Sequence, residues 1–186
     1  YGSELNTVLK KTGNFPLRRY IEKEEILKWI NLYDEDSKFL LEYVIAHETA
    51  HQWWYSIVGN DEVSEPWLDE ALTEYSTILY FESRYGKDVS DKLMKTMKVQ
   101  SENYRGEDMF KAINEFGSSS EYSLNVYTKG AVVFNEIRKE VGDKIFFETL
   151  QEYCNNYMFQ NVNGNQFMKM WKDKGVDINK IVDKCN

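Results

Sequence analysis

The stretch VIAHETAHQWW, residues 44–54, contains both histidines of the 186-residue chain, and it decides how the rest is interpreted. They are His47 and His51, with Glu48 directly after the first. From Ser37 to Ile57 there is no proline or glycine, and apolar residues recur at helical spacing, which predicts a helix. Residues four apart lie on one face of a helix, so the two imidazoles can converge on one ion. Glu48 is rotated to the side, within reach of a bound water without being a ligand.

This spacing is the H-E-x-x-H arrangement, which is typical of zinc metallopeptidases. The alternative is that two histidines and a glutamate fell at these positions by chance on an ordinary helix. A catalytic zinc site needs three protein ligands and one open position. Because the chain has no third histidine, the third ligand must be a carboxylate.

A candidate carboxylate follows in GNDEVSEPWLDEALTEY, residues 59–75. Pro66 is tolerated at a helix entry, and a second amphipathic helix is expected from about Trp67 to Tyr85. Glu70 lies one turn inside it, and 18 residues separate it from His51. Two antiparallel helices with a short connection would bring Glu70 opposite the histidines. Position on the helix favours Glu70, but other acidic residues compete on proximity alone: Glu62, Glu65, Asp69 and Glu74.

These motifs together resemble the aminopeptidase N family of zinc metallopeptidases, which includes alanyl aminopeptidases and the leukotriene hydrolase. HETAH is followed after 18 residues by Glu70 inside WLDEAL, as in that family. A second similarity is VYTKGAVVF, residues 126–134, which matches the Tyr-x-Lys-Gly element of the family. The similar stretches cover residues 40–86 and 122–150.

The resemblance implies a role for each motif residue. It implies one zinc ion per chain and hydrolysis of peptide substrates, with release of amino-terminal residues. The metal ligands would be His47, His51 and Glu70. Glu48 would be the general base that takes a proton from the attacking water and passes it to the leaving amine. Tyr127 would donate a hydrogen bond to the oxyanion, although among 13 tyrosines a core aromatic residue is the alternative.

Further residues near the motifs are assigned lesser roles. Glu74 is four residues after Glu70, so it could accept the free N–H of a zinc-bound histidine, and Asp69 is a second candidate for this role. A solvated acid on an exposed face is the alternative for both. Tyr122 is expected to line the cleft. Three tryptophans are expected to pack between the two motif helices: Trp53, Trp54 and Trp67.

Composition limits the class of protein. The chain has 23 basic and 31 acidic residues, a net charge of −8, which argues against nucleic acid as a partner. With 42% hydrophobic residues, a single globular domain over residues 1–186 is expected. There is no apolar run of about 18 residues, so no transmembrane segment is expected, and no signal peptide opens the chain. The compartment stays open: cytoplasmic, or an extracytoplasmic domain of a membrane-anchored parent. Cys154 and Cys185 are expected to be free thiols, with a single bridge as the alternative.

The expected fold is mainly α, the helical half of a thermolysin-like zinc peptidase catalytic domain. At most a short strand remnant is expected, within the first twenty residues. A loop is expected over residues 117–125. Helices are expected over Glu22–Leu32, Asp36–Ile57, Trp67–Tyr85, Asp88–Tyr104, Tyr127–Val141, Lys144–Asn155, Gly164–Lys174 and Asp177–Lys184.

The chain departs from the family in one element. Upstream of the zinc helix the family has a Gly-x-Met-Glu-Asn strand that grips the amino terminus of the substrate, and no Met-Glu pair occurs here. We therefore expect an excised piece of a larger protein, whose missing β domain packs against it, and exopeptidase and endopeptidase activity both stay open. Two other classes compete: a catalytic-like module that binds zinc or peptide without turnover, and a metal-free helical structural domain.

Overall fold

The computed structural model describes residues 36–102 and 108–185, with side chains from residue 38 onwards. The chain forms two compact units, Tyr1–Ile45 and Ala46–Asn186. The first contributes the beginning of helix α1, Asp36–Ala50. The second contains every candidate site residue. The strand expected in the first twenty residues and the helix expected over Glu22–Leu32 lie outside the described residues.

Helix α1 ends at Ala50 and not at Ile57 as predicted. The Ser56 N–H donates to the His51 carbonyl at 3.0 Å, a bond five residues back that closes a turn. Tyr55 has φ 120, a conformation that favours glycine. The absence of glycine and proline predicted a longer helix, but after Ala50 the chain turns: the Gln52 and Trp53 N–H groups donate three residues back, to the Thr49 and Ala50 carbonyls.

After this turn the chain forms a short strand, β1, Val58–Gly59. It pairs in parallel with β2, Gln160–Asn161, and together they form a two-stranded sheet. A Cβ at Gly59 would overlap the Asn161 side chain, so a larger residue there would have to displace that side chain.

Helix α2, Trp67–Tyr85, begins and ends as predicted. Pro66 precedes it with φ −62, and Gly86 ends it with φ 91. Of its 19 residues, 11 are buried. It is therefore the core helix of the second unit, and α3, Lys87–Ser101, packs beside it.

The remaining elements of the described residues are helices apart from β2. The predicted loop over residues 117–125 is wrong from Ser119 onwards, because the Ser118 side chain accepts a hydrogen bond from the Glu121 N–H and starts a helix. Gly142, with φ 79, breaks the long helix where a boundary was predicted. The elements are a 3₁₀ turn Ile113–Glu115, α4 Ser119–Tyr122, a π-helix Ser123–Lys129, α5 Gly130–Tyr157, α6 Gly164–Asp173 and α7 Ile178–Cys185.

Aromatic rings fill the core between α2, α5 and α6. Trp67 is buried, with its ring 5.8 Å from that of Phe167, and Phe167 lies 4.9 Å from Tyr153. Trp54 stacks on Tyr153 at 6.1 Å, but Trp53 is 48% exposed and does not pack as predicted. The mainly helical fold is confirmed. Within the described residues, no helix combines the length and the apolar character needed to cross a membrane.

Candidate metal centre

His47, His51 and Glu70 converge on one point. His47 lies in the last turn of α1, and the His51 N–H donates to its carbonyl at 3.3 Å, so the helical turn continues to His51. Glu70 lies in the first turn of α2. Its Oε2 is 3.2 Å from Nε2 of His47 and 3.2 Å from Nε2 of His51. The sequence predicted these three residues together, and the fold brings them together.

This donor set fits zinc. Two imidazole nitrogens and one carboxylate oxygen are ligands that zinc accepts in catalytic sites, at about 2.0–2.2 Å. Neighbouring ligands of a tetrahedral ion lie about 1.6 bond lengths apart, or roughly 3.3 Å. The observed separations of 3.2 Å match this value. One ligand atom from each of the three residues lies within 4.8 Å of the others.

The second ring nitrogen of each histidine is already engaged. Nδ1 of His47 lies 2.9 Å from Oε2 of Glu74, and Nδ1 of His51 lies 3.1 Å from the Trp54 carbonyl and 3.2 Å from Thr73 Oγ1. A carboxylate and a carbonyl only accept, so both Nδ1 atoms donate. This fixes the tautomer that leaves both Nε2 atoms available to an ion.

The other acidic residues point elsewhere. Asp69, predicted as an alternative partner of a histidine, instead accepts a hydrogen bond from Asn60 Nδ2 at 2.8 Å. It is rotated about 100° from Glu70 on α2, so the helix turns it away from the rings. Glu65 accepts from the Gly164 N–H at 2.9 Å, and Glu62 is exposed. Among these acids, geometry selects Glu70 beside the two histidines and Glu74 behind His47.

The carboxylates beside the two histidines favour the protonated form of the imidazoles. Burial lowers the pKa of His47, but hydrogen bonds to Glu70 and Glu74 outweigh burial and raise it to about 9. Burial raises the pKa of the Glu70 carboxyl, but hydrogen bonds from both histidines and Tyr127 lower it to about 2. Glu70 is therefore ionised at neutral pH, as a metal ligand must be.

Tyr127 lies beside this pocket on the π-helix, a rare element that is frequent at functional sites. Its ring stacks on His47 at 5.7 Å, and its hydroxyl lies close to Glu70 and Tyr122. Burial and the nearby Glu70 charge raise the pKa of Tyr127 well above its usual value, so the phenol stays protonated at neutral pH. Tyr122 lies edge-on to Tyr127 at 5.6 Å, and burial raises its pKa to about 12.

Gly130 allows Tyr127 to come this close. A Cβ at Gly130 would overlap the Cβ of Ala71, which is fully buried next to Glu70 on α2. The start of α5 therefore touches the ligand-bearing turn of α2. This gives a physical reason for glycine in the YTKG stretch, which sequence reasoning noted only as a similarity.

Glu48 is exposed at the end of α1, directly after His47. An exposed carboxylate beside the ligand residues is available to water, as a general base must be. The site thus combines three residues of the types that bind zinc, groups that orient the two histidines and a protonated phenol, with the exposed Glu48 next to the first ligand in the chain.

Comparison with known proteins identifies the family. Residues 18–185 match the peptidase family M1 domain, and the chain belongs to this family. This confirms the resemblance to aminopeptidases of the aminopeptidase N type. The chain is 26% identical over 171 residues to probable aminopeptidase 2 of Sulfurisphaera tokodaii, covering 81% of this chain and 21% of that protein. It is 29% identical over 154 residues to aminopeptidase B of Mus musculus, covering 72% of this chain and 23% of that protein. The chain thus spans about a fifth of the length of these relatives.

Solved structures share the fold. A crystal structure of a mutant M1 zinc metallopeptidase from Deinococcus radiodurans, bound to a Tyr-Ser-Ala substrate, superposes with a TM-score of 0.65. Sequence identity is 20%, over 77% of this chain and 32% of that chain. Leukotriene A4 hydrolase from Saccharomyces cerevisiae gives a TM-score of 0.60 at 20% identity, over 76% of this chain and 24% of that chain.

Sequence reasoning missed three groups around the site. The Trp54 carbonyl and Thr73 both contact His51, and Asn60 holds Asp69. The Trp54 contact has no signal in the sequence, because any residue has a carbonyl. Thr73 had one: it lies three residues after Glu70, on the same face of α2.

Proposed function

We propose that the complete protein hydrolyses peptides with zinc, as an aminopeptidase that releases amino-terminal residues. The observation that carries the proposal is the convergence of His47 Nε2 and His51 Nε2 on Glu70 Oε2, at 3.2 Å each, beside Tyr127. These three residues would hold one zinc ion. The ion, when bound, lowers the pKa of water to about 7 and polarises a carbonyl.

The chain's own residues supply proton transfer. Glu48, exposed next to His47, accepts a proton from the attacking water and delivers it to the leaving amine. Tyr127 donates a hydrogen bond to the oxygen on which negative charge develops. Its raised pKa suits this role, because a phenol that lost its proton beside Glu70 would repel that charge. Glu74 holds the ring of His47 in the orientation that directs Nε2 to the ion.

The family and the names of its relatives support an aminopeptidase over an endopeptidase. The acidic residues close to the histidines, Glu70 and Glu74, also favour the free amino group of a substrate, which is cationic at neutral pH. The Gly-x-Met-Glu-Asn element of the family is not present in this sequence, so the group that grips that amine must lie on other residues of the complete protein.

Two measurements test the proposal in sequence. Metal analysis of the purified chain after dialysis against zinc, with a chelator control, should give one zinc per chain, and a chain that retains none overturns the metal site. The complete protein should then cleave an amino-acyl nitroanilide and leave its N-acetylated analogue intact. Cleavage of both substrates would identify an endopeptidase. Zinc binding with no cleavage of any peptide would identify a binding module.

A further inference from the structure

The connection between His51 and α2 is held by a buried amide. Asn60 is 7% exposed, and its Nδ2 donates to Asp69 Oδ1 at 2.8 Å and to the Glu65 carbonyl at 3.1 Å. Both N–H groups of the amide are thus used. One bond ends on the loop and the other on the first turn of α2, so Asn60 joins the two.

Asp69 connects this amide to the metal site. It is 3% exposed and directly precedes Glu70 on α2. A buried carboxylate is tolerated only where hydrogen bonds replace its hydration, and Asn60 provides one. Because Asp69 and Glu70 are consecutive in a rigid helix, a contact that fixes the first also fixes the rotation of the helix that aims the second.

The other side of Asn60 is anchored on residues far along the chain. Its neighbour Gly59 pairs with Asn161 in the parallel sheet, and the Gly59 carbonyl accepts from the Val162 N–H at 2.8 Å. The Glu65 side chain accepts from the Gly164 N–H at 2.9 Å. The backbone around Asn60 is therefore held by the sheet and by Glu65, so the Asn60 side chain can in turn hold α2 in place.

We propose that Asn60 is a positioning residue of the metal centre: through Asp69 it sets Glu70 against His47 and His51. This inference rests on the proposed function, because it presumes that these three residues bind one ion. Asn60 is not a ligand and is not assigned a contact with substrate. Its loss should change how well and in what geometry the ion is bound, beyond any change in folding stability. Partners that orient metal ligands typically contribute a factor of 10–100 to metal affinity.

Cobalt(II) titration of the 186-residue chain tests this, since the visible absorption of cobalt reports both affinity and ligand geometry. We expect Asn60→Leu to bind cobalt about 10–100-fold more weakly than wild type, with a shifted absorption band. Thr149→Val is the matched control: it removes a fully buried hydroxyl that donates to the Ile145 carbonyl at 2.7 Å on α5. It should lower the melting temperature while cobalt affinity and the absorption band stay as in wild type.

An exchange of the two side chains keeps the proposal testable if Asn60→Leu does not fold. Asn60→Asp alone places two carboxylates together and should weaken cobalt binding. Adding Asp69→Asn restores a donor and an acceptor between the two side chains with reversed polarity, while the bond to the Glu65 carbonyl stays lost. The double variant should therefore bind cobalt more tightly than Asn60→Asp and more weakly than wild type. Binding no tighter than that of Asn60→Asp overturns the positioning role.

The outcomes separate this inference from the proposed function. If wild-type chain binds no cobalt, the proposed metal site fails and this inference fails with it. If wild type binds one cobalt and Asn60→Leu binds it equally well with the same band, the inference alone is overturned. The same holds if Thr149→Val shifts the band as much as Asn60→Leu does, because the effect would then be one of stability only.

Discussion

The two segments that carry the metal ligands differ sharply in burial. In residues 46–57, which include both histidines and Glu48, half of the residues are exposed, and the side chain of His47 is 12% exposed. In α2, which carries Glu70 and Glu74, 11 of 19 residues are buried, and aromatic contacts tie it to α5 and α6. The histidines are thus presented by a weakly packed segment to a carboxylate that the core holds fixed.

The difference in burial indicates which of the two segments depends more on the ion for its order. A segment with few buried contacts opens locally at low free-energy cost, whereas a core helix opens only with the whole fold. An ion shared between the two should therefore order residues 46–57 and change α2 little. The weakly packed segment also leaves Glu48 exposed to water, whereas Tyr127 and Glu70 are half-buried.

The largest effects are expected from two variants that distinguish the general base, in residues 46–57, from the metal ligand in α2. Glu48→Gln should keep zinc and lower kcat by about 10²–10⁴, because only the proton acceptor is lost. Glu70→Ala should lose zinc itself. Zinc analysis and initial rates of the complete protein measure both. If Glu48→Gln emptied the site while Glu70→Ala kept zinc, the two roles would have to be exchanged.

Tyr127→Phe tests the buried side of the site. The ring and its stacking on His47 remain, and only the donor to the developing charge is lost. We expect unchanged zinc content, a similar KM and a kcat lower by about 10²–10³. Undiminished kcat would transfer the role to Tyr122, whose hydroxyl is its neighbour.

Chelation should affect the two segments unequally. At a zinc concentration about 100 times Kd, binding stabilises the folded chain by about 2.7 kcal/mol, so a chelator should lower the melting temperature. Hydrogen exchange should show lost protection mainly in residues 46–57. Equal loss throughout α2 would contradict the difference in burial as its cause, and no loss from a confirmed zinc protein would contradict a shared ion.

Glu74→Gln should weaken zinc binding by about 10–100-fold without emptying the site, because the histidine ring loses a charged acceptor and keeps its ligand atom. Glu62→Gln, which removes an exposed acid of the same net charge, is the matched control. Competition with a chromophoric chelator measures both affinities. Equal affinities for the two variants would show that Glu74 is no more than part of an acidic surface.

A smaller effect is expected from pH. Because the pKa of His47 in the metal-free fold is raised from 6.5 to about 9, a proton must leave before zinc binds. Glu70 also raises the pKa of His51 against the effect of burial, so apparent affinity should rise at least tenfold per pH unit from pH 7 and level off above about 9. The same proton stabilises the metal-free fold. Because the pKa of His47 is higher in the folded chain than in the unfolded chain, this stabilisation is complete below pH 6.5 and is lost as pH rises through about 9. An affinity that is flat over this range would contradict a histidine held protonated by Glu70 and Glu74.

The parts of the fold that could be predicted from sequence are those with local causes. Pro66 and Gly86 bound α2 where backbone rules place them, and Gly142 breaks α5 for the same reason. The i, i+4 spacing placed His47 and His51 on one helix turn, and the same rule placed Glu74 behind His47.

The parts that could not be predicted have tertiary causes. Helix α1 ends at Ala50, and the turn that follows leads the chain into β1, whose partner β2 lies about 100 residues later. Asp69 was a candidate partner for a histidine, yet its partner is Asn60, whose location depends on the sheet with Asn161. No local pattern encodes either pairing.

Anomalous diffraction at the zinc absorption edge, from crystals of the chain grown with zinc, tests the central claim most directly. The account predicts one strong peak about 2.0–2.2 Å from Nε2 of His47, Nε2 of His51 and a carboxylate oxygen of Glu70, with Nδ1 of His47 still bonded to Glu74. A peak bound by other residues, or two ions that divide these three ligands between them, would contradict a single shared site.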